Sequence, residues 1–91
     1  MQIADLTRGA QKLLQLIALD QIEGRLRHDL HDLAGKHGSD LQSLHAEIKE
    51  LSNAHALRME RLGCSETHAL VWFHLSADPS RMLTELKLIE E

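Results

Sequence analysis

The sequence predicts an all-α protein, in which a long antiparallel helical hairpin carries two shorter C-terminal helices packed back on it. Helix-forming residues such as leucine, alanine and glutamate are frequent, whereas valine and proline occur once each and aromatic residues make up 2% of the chain. Three short polar segments, "KHGSD", "GCSE" and "ADPSR", interrupt the helical pattern. These breaks divide a single domain, 1–91, into a three- to four-helix bundle, with dimerisation as a means of completing it.

The first two predicted helices form the hairpin. Helix 1 is expected over about residues 2–36 and helix 2 over 40–62, because Gly38 suits a helix C-terminus and Asp40 suits an N-cap. An apolar stripe lies on each helix. The stripes consist of Leu19, Ile22, Leu26, Leu30 and Leu33, and of Leu41, Leu44, Ile48, Leu51, Met59 and Leu62. A short break between two such helices favours antiparallel packing.

The last two helices are expected over 66–77 and 79–90. Gly63 ends helix 2 in this scheme, and Pro79 stands at the first position of helix 4, where its missing N–H has no cost. Helix 3 contains "HALVWFHLS", in which apolar residues occupy nearly every side of a helical wheel. Such a helix is either covered on all sides or partly left as an interface.

A protein-binding surface is the functional prediction that follows. Its expected residues are Leu70, Trp72 and Phe73 with His74 beside them, and Leu13 and Leu14 of helix 1. The last two belong to a separate apolar stripe in the first half of that helix, formed by Ile3, Leu6, Ala10, Leu13, Leu14 and Ile17. The chain is therefore interpreted as a non-enzymatic protein-binding module, acting as an adaptor, a co-chaperone-like factor, or a regulator or inhibitor of a larger protein machine. The partner is another protein or a second copy in a homodimer.

Composition restricts the other classes of function. The formal net charge is −4 and the ten basic residues are scattered, which argues against nucleic acid as a partner. An acidic surface that binds a basic partner is a variant of the binding-module interpretation. The single cysteine indicates a reducing compartment, so a cytoplasmic protein is expected. No signal peptide, membrane span, catalytic motif or cofactor motif is recognisable, and no cofactor is expected.

A DNA-binding regulator is the first alternative. The segment "RLGCSETHALVW" resembles a helix-turn-helix around Gly63. The second helix of such a motif needs polar or basic side chains for base edges and phosphates, but this segment is apolar and has no lysine or arginine before Arg81.

Histidines supply the second alternative, a metal or haem site. His28 and His31, with Asp32 beside them, have the spacing of ligands on one helical face, although the arginine and aspartate around them are typical of a solvated surface. His55 falls between Leu51 and Met59 in the stripe of helix 2, which predicts a buried side chain, either a hydrogen-bonded core histidine or a pH-sensitive one.

Overall fold

A computed structural model describes residues 5–64 and 69–90 of the chain. In chain order the elements are α1 (Arg8–Ile22), β1 (Arg27–Asp29), α2 (Leu30–His37), α3 (Leu41–Asn53), β2 (Leu57–Cys64), β3 (Ala69–Leu75) and α4 (Pro79–Glu90).

Side-chain caps and glycines set the bounds of the first three helices. Thr7 is the N-cap of α1, and Gly24, with φ of 88°, lies in the turn that leads from α1 to β1. Asp29 caps α2 by accepting hydrogen bonds from the next helical turn. Gly38, with φ of 74°, ends α2 in the left-handed conformation that glycine adopts without strain. Asp40 caps α3 by accepting from the Ser43 N–H, and this hydrogen bond holds the pKa of Asp40 below its ordinary value.

The three strands form an antiparallel sheet in the order β1-β3-β2. Central strand β3 pairs with β1 through Val71 opposite His28, and with β2 through Phe73 opposite Met59. The register on β2 shifts between Arg61 and Gly63, as in a β-bulge.

The core lies between the inner face of this sheet and the helices. Its largest fully buried side chains are those of Leu13, Leu14 and Ile17 of α1, Leu33 of α2, Leu44 and Leu51 of α3, Val71 and Phe73 of β3, and Met82 of α4. Helix α4 lies against α1. The core therefore joins every helix to the central strand.

The all-α prediction is wrong, because the described residues form four helices and a three-stranded sheet. The expected helix over 2–36 is interrupted by β1 and the turn before it, and the C-terminal part of the helix over 40–62 is strand β2. The expected helix over 66–77 is largely strand β3, whereas α4 occupies 79–90. The predicted helix starts at residues 2 and 66 lie outside the described residues.

In the part of the chain that the structure describes, no helix has the length and apolar character needed to cross a membrane.

Candidate functional site

Helices α2 and α3 are joined by a short turn at Gly38, and α3 presents one complete face to solvent. Leu44, Ile48 and Leu51 bury the opposite face of α3 in the core. The exposed stripe, here called the α3 face, consists of Gln42, Ala46, Lys49 and Asn53. These positions are separated by four, three and four residues, which places them in one row along the helix. The α3 face is therefore polar, with one cation and no carboxylate.

The two glutamates of α3 are held against α1 and α2, away from the α3 face. The Glu47 carboxylate lies 2.5 Å from His37 Nε2 at the end of α2. The Glu50 carboxylate accepts from the Thr7 backbone N–H at 2.7 Å and from the Thr7 hydroxyl at 2.9 Å. Gly9 leaves room for Glu47, since a Cβ there would come within 2.8 Å of the Glu47 carboxylate. These contacts keep negative charge off the exposed side of α3.

The hairpin of β2 and β3 lies beside the N-terminal half of α3. His45 of α3 and Arg61 of β2 line one cavity of about 170 Å³, together with Leu30, Gly63, Ala69, Leu70 and Val71. Arg61 is exposed and pairs in register with buried Val71, so it projects on the helical side of the sheet. Arg58 pairs in register with His74 and projects on the other side. One arginine of β2 therefore lies near α3 and the other does not.

The residues predicted as a protein-binding surface divide between core and surface. Leu13, Leu14 and Phe73 are fully buried in the core. Trp72 and His74 lie on the outer face of β3, where their rings stack with centroids 4.9 Å apart, and His74 Nε2 lies 3.0 Å from the Glu60 carboxylate. Successive side chains of a strand point to opposite faces of the sheet, so Phe73 lies in the core while Trp72 and His74 lie on the outer face.

Leu70 also lies on β3, and 42% of its surface is exposed. It pairs with Asp29 of β1 on one side and with Gly63 of β2 on the other. The predicted patch is therefore reduced to Leu70, Trp72 and His74 on the outer face of the sheet.

The histidine and aspartate candidates for a metal site do not converge. His28 is buried on β1, whereas His31 and Asp32 are exposed on α2. Among the described residues, no group of three or more histidine, cysteine, aspartate or glutamate side chains is arranged to hold a metal ion.

The prediction that His55 is buried is wrong. His55 follows the end of α3 with φ of 60° and is exposed, because the helix stops at Asn53 and the chain turns into β2. Among the described residues, the buried histidine side chains are those of His28 and His37, with 6% and 4% of their surface exposed. Sequence periodicity places His37 on the apolar face at the end of predicted helix 1, but it missed His28, which lies opposite the core stripe on the same helical wheel.

His28 is part of a charged cluster at the end of α1. Its Nδ1 lies 3.6 Å from the carboxylate of Asp20, which also lies near Arg25 and Lys36. Burial lowers the pKa of His28 below the usual 6.5; Asp20 opposes this effect, while Lys36 and Arg25 add to it. His28 is therefore favoured as the neutral imidazole.

A helix-turn-helix followed by a two-stranded hairpin defines a winged-helix-like fold. Two solved structures share it. NadR in complex with 4-hydroxyphenylacetate has a TM-score of 0.64 and 22% identity, over 94% of this chain and 56% of NadR. BpsR of Bordetella bronchiseptica, whose DNA binding is regulated by 6-hydroxynicotinic acid, has a TM-score of 0.62 and 20% identity, over 93% of this chain and 59% of BpsR.

The chain thus spans less than three fifths of the length of either protein. At this level of identity the likeness establishes the fold. No protein-family model matches the sequence, and no protein of curated function is similar to it in sequence.

The prediction that excluded nucleic acid as a partner is corrected by this fold, which BpsR, a DNA-binding protein, shares. The exclusion relied on the net charge of the whole chain, whereas recognition depends on the charge of one surface. The alternative of a DNA-binding regulator placed its helix-turn-helix at the wrong position. Gly63 lies in strand β2, and the helix-turn-helix is centred on Gly38.

The α3 face was not singled out from the sequence, although a signal for it was present. Gln42, Ala46, Lys49 and Asn53 lie opposite the apolar stripe of the predicted helix 2. A polar row of this kind is also what any solvated helix presents, so its significance depends on the hairpin beside it.

Proposed function

We propose that this chain binds duplex DNA through the α3 face and acts as a transcriptional regulator. The observation that carries the proposal is the absence of carboxylates from the α3 face, since Glu47 is bound to His37 of α2 and Glu50 to Thr7 at the start of α1. A chain with a net charge of −4 can approach a polyanion only through a surface from which its negative charges are kept away.

The dimensions of α3 suit the major groove. A helix of 13 residues is about 20 Å long, and the major groove, about 12 Å wide, admits an α-helix. Lys49 on α3 and Arg61 on the adjacent hairpin supply cations for bases and phosphates. The fold shared with BpsR, whose DNA binding is regulated by 6-hydroxynicotinic acid, supports the same assignment.

This function replaces the protein-binding module as the leading interpretation. Three of the six residues expected to contact a partner, Leu13, Leu14 and Phe73, are core residues. The proposed role is one of binding and not of catalysis. It also agrees with the cytoplasmic location expected from the single cysteine.

Fluorescence anisotropy with a labelled duplex of random sequence tests the proposal. The double variant Lys49→Ala/Arg61→Ala removes two cations near α3, and we expect its affinity at low salt to fall roughly tenfold or more. The control, Arg58→Ala/Lys87→Ala, removes the same charge from the outer face of the sheet and from α4. We expect the control to retain nearly the affinity of the unchanged protein.

Two results would contradict the proposal. One is no detectable binding of any duplex at low salt by the folded chain. The other is an equal loss of affinity in both double variants, because that result would assign binding to the overall charge of the chain. Circular dichroism of each variant confirms that the fold is retained.

A further inference from the structure

We propose that α3 reads a short base sequence in which Gln42 recognises adenine and Lys49 recognises guanine about three base pairs away. This inference rests on the proposed function, because it names the DNA sequence that the α3 face selects. It is carried by the identity and spacing of the four exposed residues of that face, Gln42, Ala46, Lys49 and Asn53.

Each residue of the α3 face has a preferred base in the major groove. The glutamine amide both accepts and donates, and so matches N6 and N7 of adenine. A lysine ammonium donates to O6 and N7 of guanine, and an alanine methyl contacts the thymine methyl. Gln42, Ala46 and Lys49 therefore predict an adenine, a thymine and a guanine contact in that order along the helix.

The rise of the helix sets the distances between these contacts. Gln42 and Lys49 are seven positions apart, or about 10 Å along the axis, which equals about three base-pair steps of B-DNA. Ala46 lies about 6 Å from Gln42, or about two steps away. Asn53 is the last residue of α3, and we assign it to the phosphate backbone, which the C-terminal end of a recognition helix can contact.

The other polar side chains near the α3 face are not assigned to base reading, and Arg61 is assigned to a phosphate. His45 and Arg61 line the cavity between α3 and the hairpin, to one side of the α3 face. Glu47 and Glu50, which would accept from cytosine N4, are bound to His37 and Thr7. The side chains left to discriminate bases are thus an amide, a methyl group and an ammonium.

The test is selection from a random duplex library, followed by sequencing of the bound fraction. We expect an enriched motif with adenine and guanine about three base pairs apart. Gln42→Ala should remove the preference at the adenine position only, and Lys49→Ala the preference at the guanine position only. In each case the preferred base should lose roughly tenfold to hundredfold in relative affinity.

Two further variants distinguish base reading from a general loss of binding. Gln42→Glu should change the preferred base from adenine to cytosine, since a carboxylate accepts from cytosine N4. Lys49→Arg should keep guanine, whereas Lys87→Ala on α4 should leave the whole motif unchanged.

The possible failures have different meanings. If the protein enriches no sequence and binds no duplex, the proposed function fails and this inference fails with it. If it enriches a motif that Gln42→Ala, Gln42→Glu and Lys49→Ala all leave unchanged, the proposed function stands and the assignment of Gln42 and Lys49 is overturned.

Discussion

At the scale of single residues, His28 is a buried ionisable group whose pKa is lowered in the folded protein. Its imidazole packs against Phe73, with ring centroids 5.5 Å apart, and its Nε2 is buried without a hydrogen-bond partner among the described residues. A protonated ring would bury a charged N–H at that position. Asp20 offsets part of this cost, but Lys36 and Arg25 face the same carboxylate and limit the compensation.

Acidification should therefore destabilise the protein through His28. The folded state holds the pKa of His28 below the 6.5 expected in the unfolded chain, so the unfolded state takes up the proton first. The free energy of unfolding should fall as the pH drops below about 6.5. Urea denaturation at pH 7.5 and pH 5.5 measures this change.

Matched variants assign that change to His28. His28→Gln removes the titrating group, so the fall in unfolding free energy between the two pH values should be smaller than in the unchanged protein. His31→Gln, at an exposed position on α2, should retain the full fall. An identical pH dependence in all three proteins would show that His28 does not contribute.

At the scale of elements, Thr7 links the start of α1 to α3. Its hydroxyl oxygen accepts from the Ala10 N–H at 3.3 Å as the N-cap of α1, and the same hydroxyl donates to Glu50. One side chain thus stabilises a helix end and restrains a carboxylate of α3. Stability and the charge of the α3 surface are therefore coupled at this residue.

Thr7→Ala should affect both properties. Loss of the N-cap should lower the unfolding free energy by about 1 kcal/mol. Glu50 would keep the Thr7 backbone N–H as a donor but lose the hydroxyl, so its carboxylate should be less restrained and DNA binding should weaken. Thr7→Ser keeps the hydroxyl and should preserve both. Urea denaturation and anisotropy on the same samples measure the two effects. Equal behaviour of the alanine and serine variants would contradict the role of the hydroxyl.

The alternation of β3 predicts opposite consequences for neighbouring aromatic residues. Phe73 is fully buried on the core side, so Phe73→Ala should cost about 3–5 kcal/mol of unfolding free energy. Trp72 is half-buried on the outer face, and Trp72→Ala should cost clearly less. Urea denaturation compares them, with Phe73→Leu as a milder core variant in case the alanine variant does not fold. A greater loss at Trp72 would contradict the register of β3.

Local signals in the sequence located caps and breaks better than strands. Gly38, Asp40 and Pro79 occupy the structural positions that their chemistry predicts. Val71 and Phe73 of strand β3, "ALVWFHL", point into the core. Because the outward Leu70 and Trp72 are also apolar, the sequence does not show the alternation of apolar and polar residues that is typical of a half-buried strand. Pairing with two neighbouring strands then outweighs helix propensity, and such long-range contacts cannot be read from local composition.

The sequence of the first predicted helix also indicated that it is not one continuous element. Its apolar stripe changes direction within "LLQLIALDQI", which a single straight helix does not explain. In the structure α1 ends at Ile22, and Leu30 and Leu33 belong to a separate helix, α2. The change in phase thus marked two elements, although the strand between them is only three residues long and left no pattern of its own.

At the scale of the whole molecule, charge is distributed unevenly over an acidic chain. The net charge of −4 would repel DNA if its carboxylates were spread over every surface. Glu47 is instead bound to His37 and Glu50 to Thr7, both off the α3 face, and Glu60 pairs with His74 on the outer face of the sheet. Lys49 and Arg61 then remain as cations on or beside the α3 face.

This distribution predicts a shallow salt dependence of DNA binding. Two cations that contact the duplex give a slope of about −2 for log affinity against log salt concentration, far less than proteins with extensive phosphate contacts show. Arg61→Ala should reduce the magnitude of the slope by about 1, whereas Arg58→Ala should leave it unchanged. Anisotropy titrations at several salt concentrations give the three slopes. Arg58 and Arg61 project on opposite sides of the sheet. An equal change of slope in Arg58→Ala and Arg61→Ala would therefore contradict binding of DNA at the α3 face.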